Sequence, residues 1–173
     1  MPTHLIVDGY NVLAGAGALP GRLESAREVL LHDLAAYRHR KNHAITVVFD
    51  GWQQDQPSER REHRAGVQVI YSKRGERADQ VIQRLAREYG ADCAVVSSDH
   101  EIVNTARAHG AVVMGAREFA NKLRVSSSAG GAIPYKELDT GADVRSTRGR
   151  EKKGNPRKLP KSQRQRARQL KRF

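Results

Sequence analysis

Short, mostly β-branched apolar runs alternate with helical patterns along the first 123 residues, and this alternation most narrows the possible folds. The runs are LIV at 5–7, ITVVF at 45–49, VQVIY at 67–71, CAVV at 93–96 and the weaker AVVM at 111–114. Each is too short for a helix, and each is apolar enough to be covered on both faces, as strands of a parallel sheet are. Between them, 22–40 sets Ala26, Val29, Leu30, Leu34 and Tyr37 on one helical face. The same spacing recurs at 78–90 with Val81, Ile82, Leu85 and Tyr89, and at 100–110 with Ile102, Val103 and Ala106. Residues 116–123 predict a last short helix. Strands joined through helices imply right-handed crossovers, so the expected class is α/β: a Rossmann-like parallel sheet with helices on both faces. The segment 51–66 has no apolar period and is expected as exposed loop or frayed helix. GAGALPG at 15–21 is expected as a flexible loop over the strand ends.

Charge divides the chain differently. The net charge is +12 over 173 residues. Residues 1–123 hold 16 Lys and Arg against 15 Asp and Glu; residues 124–173 hold 15 against 4. The expected domains are therefore a near-neutral body at 1–123, a Ser- and Gly-rich linker at 124–144 and a polycationic tail at 145–173. Such a tail cannot bury enough apolar surface to fold alone, and is expected to be disordered, or helical once bound. Lys152, Lys153, Arg157, Lys158, Lys161, Arg164, Arg166, Arg168, Lys171 and Arg172 are its candidate phosphate contacts. The expected partner is RNA rather than a membrane, since apolar anchors are few. No apolar run approaches the ~20 residues of a bilayer span, and no basic-apolar leader opens the chain. The single cysteine, Cys93, lies in a core strand and allows no intrachain disulfide. A cytoplasmic protein is expected.

The acids follow the strands. Asp8, Asp50 and Asp99 come just after the first, second and fourth runs, and Asp79 opens the helix after the third, with Glu76 three residues before it. In a parallel sheet all strand carboxyl ends share one edge, where ligands bind at the reversal of strand order. Each acid also has a plain structural alternative. Asp99 is placed to cap a helix, and Asp79 is favoured in a first turn by the helix dipole. Taken together they need a cation: two unit charges ~4 Å apart repel by about 4 kcal/mol at an effective dielectric of ~20. Oxygen-only donors favour Mg²⁺ or Mn²⁺, ions that activate water and stabilise phosphoryl oxygens. Asn11, Ser97 and Ser98 are candidates to hold a water or a phosphate oxygen, and Tyr10 and Trp52 to stack an unpaired base.

Other chemistries fit less well. A dinucleotide loop G-x-G-x-x-G in GAGALPG fails because Pro20 stands where glycine is required. A phosphatase with paired aspartates would need Asp where Tyr10 stands. Zinc spacing is absent with one cysteine.

The stretches LIVDGYNVL, VVFDG, GVQVIYSKRGERADQVIQRL and VVSSDHEIVNTARAHGAVVMGAREF together resemble the NYN-domain family, more narrowly its YacP-like branch within the PIN-like nuclease superfamily. The resemblance covers residues 4 to about 123 and leaves the basic tail outside. It implies a PIN-like α/β/α sandwich and metal-dependent endoribonuclease activity in RNA processing or mRNA decay, some of it on the ribosome. Carried over by motif, Asp8, Asp79 and Asp99 are the metal-site candidates for Mg²⁺ or Mn²⁺. Asp50 and Asn11 match adjacent positions of the site. The implied partners are mRNA or rRNA and the ribosome. Two alternatives stand beside this: a noncatalytic RNA- or ribosome-binding protein, and a PIN-type toxin ribonuclease.

Overall fold

The computed structural model describes residues 4–51 and 57–128. Trp52, the expected linker from 129 onward and the basic tail lie outside the described residues.

The apolar runs form the strands expected of them. β1 (His4–Asp8) sits between β2 (Ile45–Phe49) and β5 (Cys93–Val96). β4 (Val67–Tyr71) lies outside β2, and β6 (Val112–Met114) outside β5. These five strands are parallel. The chain builds outward from β1 through β2 to β4, then crosses back to β5 on the other side. The order therefore reverses beside β1, which makes the mouth between β1 and β5 the natural crevice.

The sheet has a sixth strand that the sequence pattern does not announce. β3 (Arg60–Arg64) pairs antiparallel with β4, so the sheet is mixed and not purely parallel. This corrects the expectation of loop or frayed helix for that part of 51–66. RREHR has no apolar face to signal a strand; backbone pairing with β4 forms it. A two-residue turn closes the hairpin, with Ala65 (φ 50°) and Gly66 (φ 81°) both in the left-handed region that such turns require.

α1 (Gly9–Gly15) and α2 (Leu23–Lys41) follow β1. α3 (Ala78–Tyr89) links β4 to β5, α4 (His100–Ala108) links β5 to β6, and α5 (Ala116–Ser128) comes last. α1 begins at the very end of β1, so the expected loop at 15–21 shrinks to the few residues between α1 and a short helical turn at Pro20–Arg22. α2 stops at Asn42, whose φ of 53° ends the helix in a left-handed cap. α5 runs five residues past its expected end at 123.

Helices cover both faces, as expected. Ile6, Val48, Ile70, Val95 and Val113 meet Val81, Ile82 and Leu85 of α3 and Ile102 and Ala106 of α4. The alternate strand positions Leu5, Val7, Val47 and Phe49 are equally buried and belong to the opposite layer, where α1, α2 and α5 pack on one another. There Tyr37 of α2 meets Phe119 of α5 edge-to-face at 5.5 Å. Each fully buried Ile, Leu or Val contributes roughly 1.5–3 kcal/mol, so α3 and α4 are held firmly on the sheet. That fixes their N-terminal ends, where Asp79 and the capping Asp99 lie. Cys93 is buried, and burial pushes its thiol up to about 11, so it is a core residue as expected. Among the described residues no helix is long and apolar enough to cross a membrane.

Candidate active site

Strand alternation decides which way the acids face. In β1, His4, Ile6 and Asp8 share the α3/α4 side; in register with them are Thr46 and Val48 of β2 and Cys93 and Val95 of β5. One step beyond the strand ends, the same face continues as Asp50 after β2, Ser72 after β4 and Ser97 after β5. The apolar layer under α3 and α4 thus ends in a polar rim at the sheet's carboxyl edge. Asp8, Ser72 and Ser97 are all buried there.

Asp8 is 6% exposed. One carboxylate oxygen accepts the Asn11 backbone N–H at 3.2 Å, which caps α1. The other accepts the Ser97 hydroxyl at 3.0 Å. The Ser97 oxygen in turn accepts the Asp99 N–H at 3.1 Å, so β1 and the β5–α4 turn are tied through one hydroxyl. Burial pushes Asp8 up to about 6; the two hydrogen bonds oppose this, and the charges of Asp79 and Asp50 add to it.

The other acids are partly occupied by the fold. Asp99 caps α4, accepting the N–H groups of Glu101 (2.8 Å) and Ile102 (3.3 Å). Asp50 accepts the Ala78 N–H at 2.6 Å and so caps α3 from outside the helix. Gln80 completes that start by accepting the Arg77 N–H at 3.2 Å. Asp79, in the first turn of α3, is ion-paired with Arg77 at 2.8 Å. Burial raises its pKa, Arg77 opposes, and Asp99, Asp50 and Glu101 add to the rise. Asp79 thus links the acids: it and Asp50 act on Asp8, and Asp99, Asp50 and Glu101 act on it. Glu76 does not join them: it turns to Arg84 at 2.8 Å. Asn11 commits its side-chain oxygen to the Ser98 N–H at 3.1 Å, and the Ser98 hydroxyl accepts the Ala116 N–H. Tyr10 lies edge-on to Phe49 at 5.2 Å, packed over the sheet edge.

The donors suit a hard divalent cation. They are all oxygen, and the deepest is a buried acid whose charge is opposed by burial and by its neighbours, a penalty that a cation reverses. The set is open and not a closed cage: among the described residues no three His, Cys, Asp or Glu side chains stand ready-made around one ion.

A family model for the YacP-like NYN domain matches residues 5–172. The chain belongs to that family. The match runs through the basic tail, which corrects the expectation that the family's pattern ends near 123. A Bacillus subtilis (strain 168) relative, the uncharacterized protein YacP, is 31% identical over 134 residues, covering 69% of this chain and 74% of the relative. The crystal structure of Rae1 (YacP) from Bacillus subtilis matches with a TM-score of 0.56 at 28% identity, over 72% of this chain and 75% of that one. A mutant of the same protein matches at 0.58 and 29%, over 75% and 79%. NYN domains are PIN-like and nuclease-like, which associates this YacP-like chain with RNA.

Two partners of the site escape sequence reasoning in this YacP-like domain. Glu101 is one; its signal was its place in the first turn after Asp99. Ser72 is the other: buried at the rim, it accepts the Gly51 N–H at 3.1 Å. Ser97 is legible as polar but not as the link between Asp8 and Asp99. Ser97→Ala is expected to lower stability by about 1–3 kcal/mol, the cost of leaving both partners short of a bond. It should also move the titration of Asp8 further up, because a bond to its charged form is lost. Urea unfolding across pH reads both effects.

Proposed function

We propose that this chain is a metal-dependent endoribonuclease acting in RNA processing or mRNA decay, with the ribosome as a partner. The observation that carries the reading is the buried Asp8 at the strand-order reversal, facing the charges of Asp79 and Asp50, with Asp99 acting in turn on Asp79. Crowded acids repel RNA phosphates, so a domain that only bound RNA would gain nothing from them.

Asp8, Asp79 and Asp99 would hold Mg²⁺ or Mn²⁺, an ion that activates water and neutralises charge on a phosphate under attack. The chain's own groups prepare that site. Ser97 orients Asp8 and joins it to the Asp99 turn. Asp50 fixes the start of α3, and thereby Asp79. Asn11 ties α1 to the turn that presents Asp99. The ten tail cations, Lys152 to Arg172, would supply sequence-independent affinity for phosphates, with a salt slope of about 0.7 per contact on single strands.

The test is a long labelled RNA incubated with the full chain in Mn²⁺, in Mg²⁺ and in EDTA, with and without ribosomes. Cleavage at internal sites that needs the metal is the expected result. No cleavage in any condition, with tight salt-dependent binding retained, would turn the reading to the noncatalytic binder.

A further inference from the structure

The β4–α3 loop carries cations that none of the roles above uses. Lys73, Arg74 and Arg77 are exposed and lie at the same sheet edge as the acids. A turn closed by the Glu76 N–H on the Lys73 carbonyl (3.0 Å), with Gly75 at φ 79°, shapes the loop. Its own acid, Glu76, is paired with Arg84, which Glu59 also engages. Arg77 directly precedes α3, and its guanidinium is 2.8 Å from the Asp79 carboxylate, yet its side chain is 76% exposed. The helix dipole disfavours a cation at that position. What holds the guanidinium is Asp79, whose own charge is opposed by Asp99, Asp50 and Glu101.

We propose that Arg77 is a phosphate-binding residue gated by the metal: it neutralises Asp79 in the metal-free protein and passes to an RNA phosphate when a divalent cation takes the carboxylates. This rests on the nuclease reading above. Three arguments carry it. A divalent ion at Asp79 repels a guanidinium on the same carboxylate. With the Arg77 side chain largely in solvent, a pair of this kind is weak and its release is easy. A released guanidinium on the rim has the planar fork that binds phosphate in a bidentate manner. Because Arg77 competes with the metal and binds the RNA, metal and RNA promote each other's binding, and the coupling is reciprocal.

The experiment uses the full chain as wild type, Arg77→Gln, Arg77→Lys and Asp8→Asn. Mn²⁺ affinity is read by electron paramagnetic resonance without RNA. Binding of a single-stranded RNA oligonucleotide is read by anisotropy across salt, in Ca²⁺ and in EDTA. Arg77→Gln is expected to bind Mn²⁺ about threefold more tightly, as one weak competing pair disappears. In Ca²⁺ its RNA salt slope should fall by about 0.7, one phosphate contact; in EDTA it should match wild type. Arg77→Lys should restore the competition with Mn²⁺. Unchanged or weaker Mn²⁺ binding in Arg77→Gln overturns the proposal, as does an RNA defect of equal size in EDTA and Ca²⁺. If wild type holds Mn²⁺ no better than Asp8→Asn, the metal-site reading itself fails, a result separable from the other two.

Discussion

Asp8→Asn is expected to abolish metal-dependent cleavage and, at the same time, to make the metal-free protein more stable. Losing a metal ligand at the centre of the site should slow cleavage at least about a thousandfold, roughly 4 kcal/mol of transition-state stabilisation. The stability effect has the opposite sign. The folded protein holds the Asp8 proton up to a pH of about 6, whereas an unfolded Asp releases it near 3.8. Between those values the native state binds more protons than the unfolded one, so stability falls as pH rises through roughly 4 to 6 and then levels off. The ionised acid costs on the order of 3 kcal/mol at pH 8. Asn accepts the Asn11 N–H and caps α1 as well as Asp does, without the charge. Thermal melts in EDTA should therefore show wild type and variant alike near pH 4 and the variant higher by about 6–12 °C at pH 8. Mn²⁺ should then raise the melting temperature of wild type and leave the variant unmoved. A variant less stable at pH 8 would make Asp8 chiefly a helix cap. A variant that still cleaves would remove it from the metal site.

The placement of Asp8 shows what a single sequence makes legible. A carboxylate straight after a β-branched run, in a chain alternating strand and helix, has to lie on the ligand edge, because parallel topology puts every strand's carboxyl end there. Asp50 and Asp99 follow by the same argument, and Asp79 by the helix that must start on that edge. The capping alternatives are not rivals of the site: Asp8, Asp50 and Asp99 each cap a helix while sharing its field. What the sequence hid was held by backbone or by long-range pairing. β3 is polar throughout, and only hydrogen bonds to β4 make it a strand. α1 is too short to display a helical period, although Asp8 before Val12 and Leu13 was a start signal. Glu76 has the spacing to join the acids, but Arg84, eight residues on, takes it. Ser97 holds Asp8 across 89 residues of chain, a distance no local pattern spans.

Gly51→Ala is expected to cost at least about 3 kcal/mol and to disable the site with it. Two of the strand-end acids are followed by glycine, Asp8-Gly9 and Asp50-Gly51, and neither glycine has a positive φ, so space is the constraint on both. A Cβ on Gly51 would lie 2.0 Å from the Ser72 carbonyl oxygen. That obstacle is backbone, tied to β2 by the Ser72 N–H on the Phe49 carbonyl and by the Gly51 N–H on the Ser72 hydroxyl. Relief requires the ends of β2 and β4 to part, which loses both bonds on top of the overpacking cost of about 1–3 kcal/mol. Asp50 moves with them, and its bond to Ala78 sets the start of α3 and thus Asp79. At Gly9 the obstacle differs: a Cβ would meet the Phe49 ring at 2.2 Å, and a ring can be made smaller. Phe49→Leu should therefore recover part of the stability lost in Gly9→Ala, while no side-chain change at Ser72 should rescue Gly51→Ala. Gly21, where an added Cβ would meet nothing within 4 Å, serves as the control, and alanine there should be neutral or gain a few tenths of a kcal/mol. Urea unfolding of the set, read beside Mn²⁺ affinity, separates the two glycines. If Gly51→Ala keeps wild-type stability and metal binding, the strand ends are looser than this packing requires, and Asp50 does not hold α3 in place for the site.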